Sequence, residues 1–450
     1  MTDGTSGTSG SAVSPLDRAR QKAYWRVLPL LFICYVIAYV DRANVAIAKL
    51  TMTRDLPAFD NKVIGLGAGV FFIGYFLLEI PGTLIVEKWS ARKWICRIMV
   101  TWGVMATLTA FVTTPNQFYV VRFLLGLSEA GFFPGVLVYL THWFPSRDRA
   151  KAFACFLVGT PAAQILSPKI SNALLKIGTD ETINGVTVHH PELFGLEGWQ
   201  CIYILWGFPA IVLGAVVFAF LTDRPRDARW LSEEEREALQ QELDKERKRA
   251  RRMTVLEALS HPKVLLLALA YFCTVTGSYG VEFFLPSILQ QWYNLKFDAI
   301  TWLVILPPIL ALGGQVLAGW SSDRTKERRF HVVVPLAMGA LALALAPMTQ
   351  GHLFLTIACF MMAFVGFKAY MPAFWSLPGL FLTEAAAAGS IGLINSIGNL
   401  GGFLGPYVLG KVQTVTGSFI GGLYFLSISM AVSATIIFLL RLEQKPLPSG

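Results

Sequence analysis

The chain has 450 residues, of which 54% are hydrophobic and 15% are charged, and its formal net charge is +9. A soluble domain carries about 25% charged residues, so this composition excludes an ordinary soluble protein and indicates a membrane protein. The Lys and Arg residues collect in alternate loops between apolar segments, which argues against a nucleic-acid-binding surface and follows the positive-inside pattern of membrane proteins.

Twelve apolar segments follow one another along the chain. Each is long enough to cross a hydrocarbon core of roughly 30 Å at 1.5 Å per residue, so they predict an all-α membrane protein with twelve transmembrane helices. The predicted spans are 27–50, 63–86, 94–114, 116–141, 152–175, 200–222, 263–289, 299–320, 331–349, 352–377, 388–410 and 416–440. The basic loops predict that both termini and the long central loop are cytoplasmic, and an even number of spans agrees.

The segment before the first span begins with a stretch rich in Gly, Ser and Thr. It contains no short apolar core followed by a small-residue cleavage site, so we expect no removable signal peptide. The six cysteines lie in or beside spans, without metal-ligand spacing, and we interpret them as core residues. We therefore predict no metal site and no cofactor.

The first span carries Asp41 and Arg42 side by side in the otherwise almost wholly apolar run YVDRANVAIA. A charge at the bilayer centre costs several kcal/mol unless it faces a cavity or a partner, so both residues are functional candidates. The planar guanidinium of Arg42 suits bidentate contact with a carboxylate. We expect Arg42 to bind the anionic group of a substrate.

The fourth span adds Arg122 and Glu129, which lie two helical turns apart and therefore share a face. At 1.5 Å per residue, Asp41 and Arg122 lie roughly 13 and 9 Å from the outer edge, so we expect them to meet. A buried, paired carboxylate that water reaches in one conformation only can load and release a proton. We predict proton coupling by Asp41, Arg122 and Glu129; a permanent salt bridge between helices is the alternative.

The same signature recurs between the second and third spans of each half, as PGTLIVEKWSARK (81–93) and LAGWSSDRTKERR (317–329). Each has a small residue, then an acid–base pair, then a basic cluster, which indicates an internal repeat. We interpret both as gates in which the glycine permits close packing and the acid caps or pairs, rather than as simple basic loops. The predicted gating residues are Gly82, Glu87, Lys88, Arg92, Gly319, Asp323 and Arg324.

A long polar segment after the sixth span divides six spans from six. Ser232 and Glu235 have the spacing of a capping box, and the charged run after them favours a solvated helix on the membrane surface. We interpret the segment as a linker, with a regulatory docking helix as the alternative. The predicted units are an N-terminal tail, an N-terminal bundle, this linker, a C-terminal bundle and a C-terminal tail, at 1–26, 27–222, 223–260, 261–441 and 442–450.

Over nearly its whole length the chain resembles the major facilitator superfamily, and in particular its anion:cation symporter branch of bacterial permeases for tartrate, galactonate and phthalate. The resemblance rests on several long motifs in the right order. They are YVDRANVAIA in the first span, GYFLLEIPG (74–82), RFLLGLSEAGFFPG (122–135), FWSLP (374–378) and GLINSIGNLGGFLGP (392–406). It implies two six-helix bundles with the major facilitator fold.

The resemblance also implies roles for individual residues. In the galactonate permeases the matching Asp and Arg of the first span take proton-coupling and substrate roles, the fourth-span Arg pairs with that Asp, and the fourth-span Glu titrates. The further substrate contacts that it implies are Tyr39, Tyr75, Trp375 and Asn395. Phenol and amide groups suit the hydroxyls of a sugar acid or hydroxy acid, although ordinary packing explains the two tyrosines equally well.

Two residues depart from those permeases. Glu79 stands where they carry glutamine, which adds a carboxylate to the cavity, and its role is open. Lys368 gives the second half a cation roughly 24 Å from the outer edge that could meet the far carboxylate of a dicarboxylate. Pairing with Glu79 or contact with a phosphate head-group are the alternatives for Lys368.

We therefore expect a monomeric secondary active transporter in the bacterial inner membrane that imports a small organic anion with protons by alternating access. An organic-anion exchanger and a non-transporting sensor of the same fold are the alternatives. The sequence has no zinc motif and no nucleophile elbow, which argues against an enzyme. It also has no nucleotide-binding loop, which argues against ATP-driven transport.

Overall fold

The computed structural model describes residues 14–183, 186–247, 261–381 and 384–440. The helices of the first half are α1 (Pro15–Asp55), α2 (Asn61–Lys88), α3 (Ala91–Leu108), α4 (Pro115–Glu129), α5 (Phe132–Thr141), α6 (Ser146–Leu157), α7 (Gly159–Leu175), α8 (Gly198–Phe220) and α9 (Glu233–Arg247). Those of the second half are α10 (Pro262–Tyr293), α11 (Phe297–Thr325), α12 (Phe330–Leu345), α13 (Leu353–Ala369), α14 (Met371–Phe374), α15 (Pro378–Phe381), α16 (Glu384–Asn399), α17 (Gly401–Thr416) and α18 (Ile420–Leu439).

Ten helical segments among the described residues are long and apolar enough to cross a membrane, compared with twelve predicted spans. The other two predicted spans, the fifth and the eleventh, fall on α6–α7 and α16–α17. Each is interrupted near its middle, so no single piece exceeds 17 residues. The predicted all-α membrane fold of two six-helix bundles is confirmed. One element was not predicted: strands β1 (Asp180–Ile183) and β2 (Val186–His189) pair antiparallel between α7 and α8.

The interruptions lie at equivalent places in the two halves. They fall in the fourth and tenth spans (α4–α5 and α13–α14) and in the fifth and eleventh spans. In the fourth span the chain turns at Gly131, whose φ of 81° is a left-handed conformation that favours glycine. Interrupted helices at corresponding positions of two repeats are typical of a transporter's binding region near the bilayer midplane.

Within the described part of the chain, the two bundles meet mainly along four helix pairs: α1 with α10, α2 with α16, α2 with α17, and α7 with α11. We call the end of the molecule that carries β1 and β2 the hairpin end, and the end that carries α9 the linker end. At the hairpin end, Asn172 Nδ2 donates to Asp298 Oδ1 (2.6 Å), and Lys176 Nζ lies 2.9 Å from Oδ2 of the same carboxylate. Asn61 Nδ2 donates to Gln413 Oε1 (2.7 Å) nearby. These bonds close the hairpin end.

Helix α9 packs against the linker end of α1. The predicted capping box is formed, because Ser232 N donates to Glu235 Oε2 and Glu235 N donates to Ser232 Oγ. The Glu235 carboxylate is buried and also accepts from Lys22 Nζ (2.8 Å), while Leu239 and Leu243 are buried on the same side. Helix α9 is therefore solvated on one face only, since these apolar residues give it a second face that packs on the first bundle.

Candidate substrate and proton site

A cavity lies between the two bundles near the middle of the spans. Its lining includes Tyr39, Arg42, Ala46, Gln164, Ser167, Tyr279, Glu282, Pro286, Pro308 and Phe364. The cavity has a volume of about 70 Å³. One water molecule requires roughly 10–15 Å³, so the cavity has room for several waters or for the charged end of a small acid. Two of the predicted substrate contacts, Tyr39 and Arg42, line it.

Arg42 makes a buried ion pair with Glu129. Its Nε and Nη2 lie 2.6 and 2.5 Å from the same oxygen, Oε1, while the second carboxylate oxygen has no hydrogen-bond partner in the described part of the chain. The guanidinium also lies over the ring of Tyr75, 4.8 Å from its centroid. The residue predicted to hold the substrate is therefore neutralised by a residue predicted to couple protons.

The break in the fourth span positions this pair. Glu129 is the last residue of α4, and the chain turns at Ala130 and Gly131 before α5 begins. A Cβ added to Gly82 would lie only 3.2 Å from the Cα of Gly131, so two glycines let α2 approach the turn closely. The close packing expected at Gly82 is present there, on the turn that places Glu129.

Asp41 is not paired with Arg122 as the sequence predicted. Its Oδ2 accepts a hydrogen bond from Trp102 Nε1 (2.8 Å), and its Oδ1 has no hydrogen-bond partner among the described residues. All three guanidinium nitrogens of Arg122 are enclosed without such a partner, and its guanidinium lies 5.1 Å from the ring centroid of Phe71. The pairing prediction is wrong in this conformation because Trp102 of α3 donates to Asp41 instead, and an apolar span carries no sequence signal for such a hydrogen bond.

Lys368 pairs with Glu282 of its own bundle. Its Nζ lies 2.9 Å from Oε1, and Tyr39 of the first bundle donates its hydroxyl hydrogen to Oε2 (3.2 Å). The alternative pairing of Lys368 with Glu79 is not observed. The sequence predicts no role for Glu282, because the predicted span ends at residue 289 and places Glu282 near its end. Helix α10 instead continues to Tyr293, which places Glu282 deeper in the membrane-spanning part.

The remaining predicted contacts lie away from the cavity. Asn395 Nδ2 donates to Glu79 Oε1 (2.6 Å), which joins α2 to α16 across the two bundles. Trp375 packs edge-to-face on Tyr271 at a centroid distance of 5.0 Å and does not line the cavity. In this conformation Glu79 and Asn395 connect the bundles, and their role as substrate contacts stays a prediction.

The gating residues are only partly visible. The structure does not describe the side chains of Glu87, Lys88 and Asp323. Arg324 is exposed, and its guanidinium lies over the ring of Trp320. The backbone N–H of Arg92 donates to Asp223 Oδ1 (2.9 Å), and Ser90 donates to the other oxygen, so an acid after the sixth span caps α3.

The second repeat lacks the close glycine contact of the first. A Cβ added to Gly319 would lie 3.4 Å from Pro372, which is an ordinary contact. The gating role of both signatures stays a prediction.

Known proteins resemble this chain over most of its length. The sequence profile of the Major Facilitator Superfamily matches residues 31–406. A protein of Agrobacterium vitis that is named a tartrate transporter is 41% identical over 425 residues, which cover 94% of this chain and 91% of that protein. A quinolone resistance transporter of Acinetobacter baumannii is 39% identical over 426 residues, which cover 94% and 95%.

Solved structures share the fold. A bacterial homologue of the human lysosomal transporter Spinster, in an inward-facing and unoccupied conformation, gives a TM-score of 0.71 at 15% identity, over 94% of this chain and 95% of that one. The profile and the relatives together identify a multi-pass membrane transporter rather than an enzyme, as the motifs predicted. The chain belongs to the Major Facilitator Superfamily.

Proposed function

We propose that this chain imports a small organic anion, a tartrate-like or sugar-acid-like carboxylate, together with protons, by alternating access. The name of the Agrobacterium vitis relative supports this substrate class. In the proposed orientation the chain lies in the bacterial inner membrane as a monomer, with both termini and α9 in the cytoplasm and the hairpin end outside. The basic loops support that orientation.

The ion pair between Arg42 and Glu129 carries the proposal. A substrate carboxylate and the Glu129 carboxylate compete for one guanidinium, since Nε and Nη2 both contact Oε1. Protonation of Glu129 removes its charge and frees Arg42 for the anion, so a proton and an anion each favour binding of the other. Such mutual preference is what a symporter requires of its binding site.

The second bundle supplies a second cation, which a carboxylate also neutralises and which a substrate carboxylate could reach. Lys368 is neutralised by Glu282, and Tyr39 reaches the same carboxylate from the first bundle. A dicarboxylate bound at Arg42 could displace Glu282 from Lys368 with its far end. An ammonium serves there as a point charge that tolerates acids of different length, whereas the guanidinium holds one carboxylate in a fixed plane.

The closed hairpin end corresponds, in this proposal, to an inward-facing conformation. Return to the outward-facing conformation requires the bonds from Asp298 to Asn172 and Lys176 to break, together with the bond between Asn61 and Gln413. Each of these bonds joins one bundle to the other. Opening them by rocking of the bundles would expose the cavity to the outside.

Glu129→Gln tests the proposal, because glutamine keeps the size of a protonated glutamate and cannot titrate. We expect the variant to catalyse counterflow of labelled tartrate in proteoliposomes while failing to accumulate it under an imposed pH gradient. Glu192→Gln, which changes an exposed carboxylate near the hairpin, is the matched control. Proton-driven accumulation by Glu129→Gln at the parental level would contradict the coupling role.

The same assay separates the alternatives. An exchanger would show counterflow in the parent protein without response to the pH gradient, and a sensor would bind the acid without counterflow. The substrate panel should include tartrate, a monocarboxylate, an aromatic acid and a quinolone, because one relative is named for quinolone resistance. Transport of the quinolone alone would contradict the proposed substrate class.

A further inference from the structure

Lys49 is a buried lysine that neither the sequence motifs nor the candidate site explains. Its exposed fraction is 2%, and its Nζ has no hydrogen-bond partner among the described residues. The ammonium lies 3.3 Å from the ring centroid of Phe284 in α10. Lysine is almost never fully buried without a partner, so its position calls for a function.

The position of Lys49 on α1 relates it to the substrate cavity. It follows Arg42 by seven residues, which places both on one helix face with Lys49 about 10 Å nearer the hairpin end. Ala46, one turn before Lys49, lines the cavity itself. The contact with Phe284 joins the two bundles, since α1 and α10 belong to different halves. Lys49 thus lies on the closed route between the hairpin end and Arg42.

We propose that Lys49 is an anion-binding residue of that route, which contacts the carboxylate of an incoming organic acid before Arg42 receives it. The proposal rests on the proposed function, because the route carries substrate only if the two bundles open at the hairpin end. The proposed anion-binding site at Lys49 is present only when the bundles are open at the hairpin end. When that end is closed, Phe284 covers Lys49.

The contact with Phe284 explains how the same lysine serves both conformations. In the closed arrangement the aromatic face takes the place of an acceptor, as in a cation–π contact. Separation of α1 from α10 removes the ring and exposes the ammonium, which then attracts anions into the cleft. Lysine suits a transient contact because its flexible stem and single point charge impose no fixed geometry on the acid.

A simpler role must be distinguished from this one. An enclosed, unpaired charge disfavours the closed arrangement, so Lys49 could act only by shifting the balance between the two conformations. Such a shift changes the apparent affinity on the two sides in opposite directions, because each side binds one conformation. A direct contact in the open route changes the affinity on the hairpin side alone.

The test uses Lys49→Cys in the full chain, with tartrate as the transported probe. Intact cells report the external KM, and inverted membrane vesicles report the internal KM. In cells, 2-aminoethyl methanethiosulfonate restores an ammonium at position 49, and propyl methanethiosulfonate adds a neutral group of the same length. Lys62→Cys, at an exposed lysine of the hairpin end, is the matched control, and the parent protein receives both reagents.

We expect Lys49→Cys to raise the external KM about tenfold, as for loss of one charge-assisted contact. The ammonium reagent should return the KM to near the parental value, the neutral reagent should not, and the internal KM should stay unchanged. Equal effects of the two reagents, or a fall in the internal KM that mirrors the external rise, would overturn the proposal. Lys62→Cys should show neither the loss nor the rescue.

Different results would contradict the anion-binding role of Lys49 and the proposed transport function. Mass spectrometry reads modification at position 49 without any transport, so lack of reagent access from outside would overturn the anion route even if the parent accumulates tartrate. A parent protein that moves no acid of the panel would instead contradict the proposed function. Lys49→Met keeps the length of the side chain, and a parental melting temperature for it would show that the variant effects do not come from misfolding.

Discussion

The two bundles treat their buried charges differently. The second bundle holds Lys368 and Glu282 as a single neutral pair beside the cavity. The first bundle holds one comparable pair, Arg42 with Glu129, and behind it an aspartate that accepts from an indole and an arginine without a hydrogen-bond partner among the described residues. Among the described residues, the second bundle therefore pairs the charges beside the cavity, whereas the first bundle leaves Asp41, Arg122 and Lys49 without a salt bridge.

This difference suggests a division of labour. A paired and satisfied charge is costly to disturb, whereas a carboxylate with one open oxygen responds readily to a proton, a water or a nearby base. Under the proposed function, proton coupling belongs to the first bundle, and the second bundle supplies a cation that selects the substrate.

Arg42→Lys should abolish most uptake although the charge is kept. An ammonium cannot present two nitrogens in a plane to one carboxylate, so we expect a loss of about 10- to 100-fold in kcat/KM. Initial rates of tartrate uptake in proteoliposomes measure it. Arg26→Lys, at an exposed arginine outside the cavity, is the control and should stay near parental. Near-parental uptake by Arg42→Lys would remove Arg42 from the binding site.

The second bundle is tested by removing its pair as a unit. Lys368→Met combined with Glu282→Gln deletes both charges, which avoids the cost of about 3–5 kcal/mol that an unpaired buried partner would add. We expect binding of a dicarboxylate to weaken about tenfold and binding of a monocarboxylate of similar size to change little. Calorimetric titration of the purified variant with both acids measures this. Equal losses for the two acids would assign the pair to structure.

The sequence predicted the fold well because many segments along the chain independently indicate the same fold. Long apolar segments and a recurring loop signature each point to two bundles, and errors in single boundaries do not matter. The fifth and eleventh spans were placed correctly as segments but not as broken helices. A break at Val158 or Leu400 depends on packing against neighbouring helices, which hydropathy does not record.

The site was predicted less completely, for a physical reason. The apolar context in the sequence identified which charged residues are buried. Predicting which of them pair also requires the rotation of each helix about its own axis, which the sequence does not record. Arg42 and Arg122 both suited a carboxylate on the first or fourth span, and the structure pairs Arg42 with Glu129 and leaves Asp41 to Trp102. A tryptophan in an apolar span carries no sequence signal of its hydrogen bond. Lys49 did carry a signal, as a charge near a span end, yet nothing in the sequence indicated its burial.

Trp102→Phe should act on the first bundle through Asp41 alone. The indole hydrogen bond stabilises the ionised carboxylate, so its loss makes protonation easier and moves the pH of half-maximal proton-driven uptake upward, by about one unit. Trp206→Phe removes another buried indole donor of the same bundle, the one bonded to Ser171, and should leave the pH profile unchanged.

The double variant Trp102→Phe with Asp41→Asn tests whether Trp102 acts by positioning the Asp41 carboxylate or only by packing in the bundle. If Trp102 acts through Asp41, adding Trp102→Phe to Asp41→Asn causes no further shift in the pH profile. An additional shift in the double variant would contradict that role. Retention of the parental pH dependence by Asp41→Asn itself would instead exclude Asp41 from coupling.

A smaller effect is expected at α9, which packs on α1 of the first bundle. The Lys22 ammonium, with the capping hydrogen bond and Arg18, lowers the pKa of Glu235 below its usual value. A carboxyl with a lowered folded-state pKa stabilises the docked helix above its unfolded pKa of about 4.3, and this contribution is lost as the pH falls through the folded value. Docking of α9 should therefore weaken below about pH 4, and Glu235→Gln should remove that dependence.

Proteolysis measures the docking of α9, because cleavage after Arg247 requires the end of the helix to open. The partners Lys22 and Arg18 are about half exposed, so solvent limits the contribution of the pair to about 1 kcal/mol, or roughly a fivefold faster cleavage for Glu235→Gln at neutral pH. Glu234→Gln, at the exposed neighbouring position, is the control. Substrate affinity should not change, since Glu235 lies at the linker end, and an altered affinity would indicate the regulatory docking that the sequence left open.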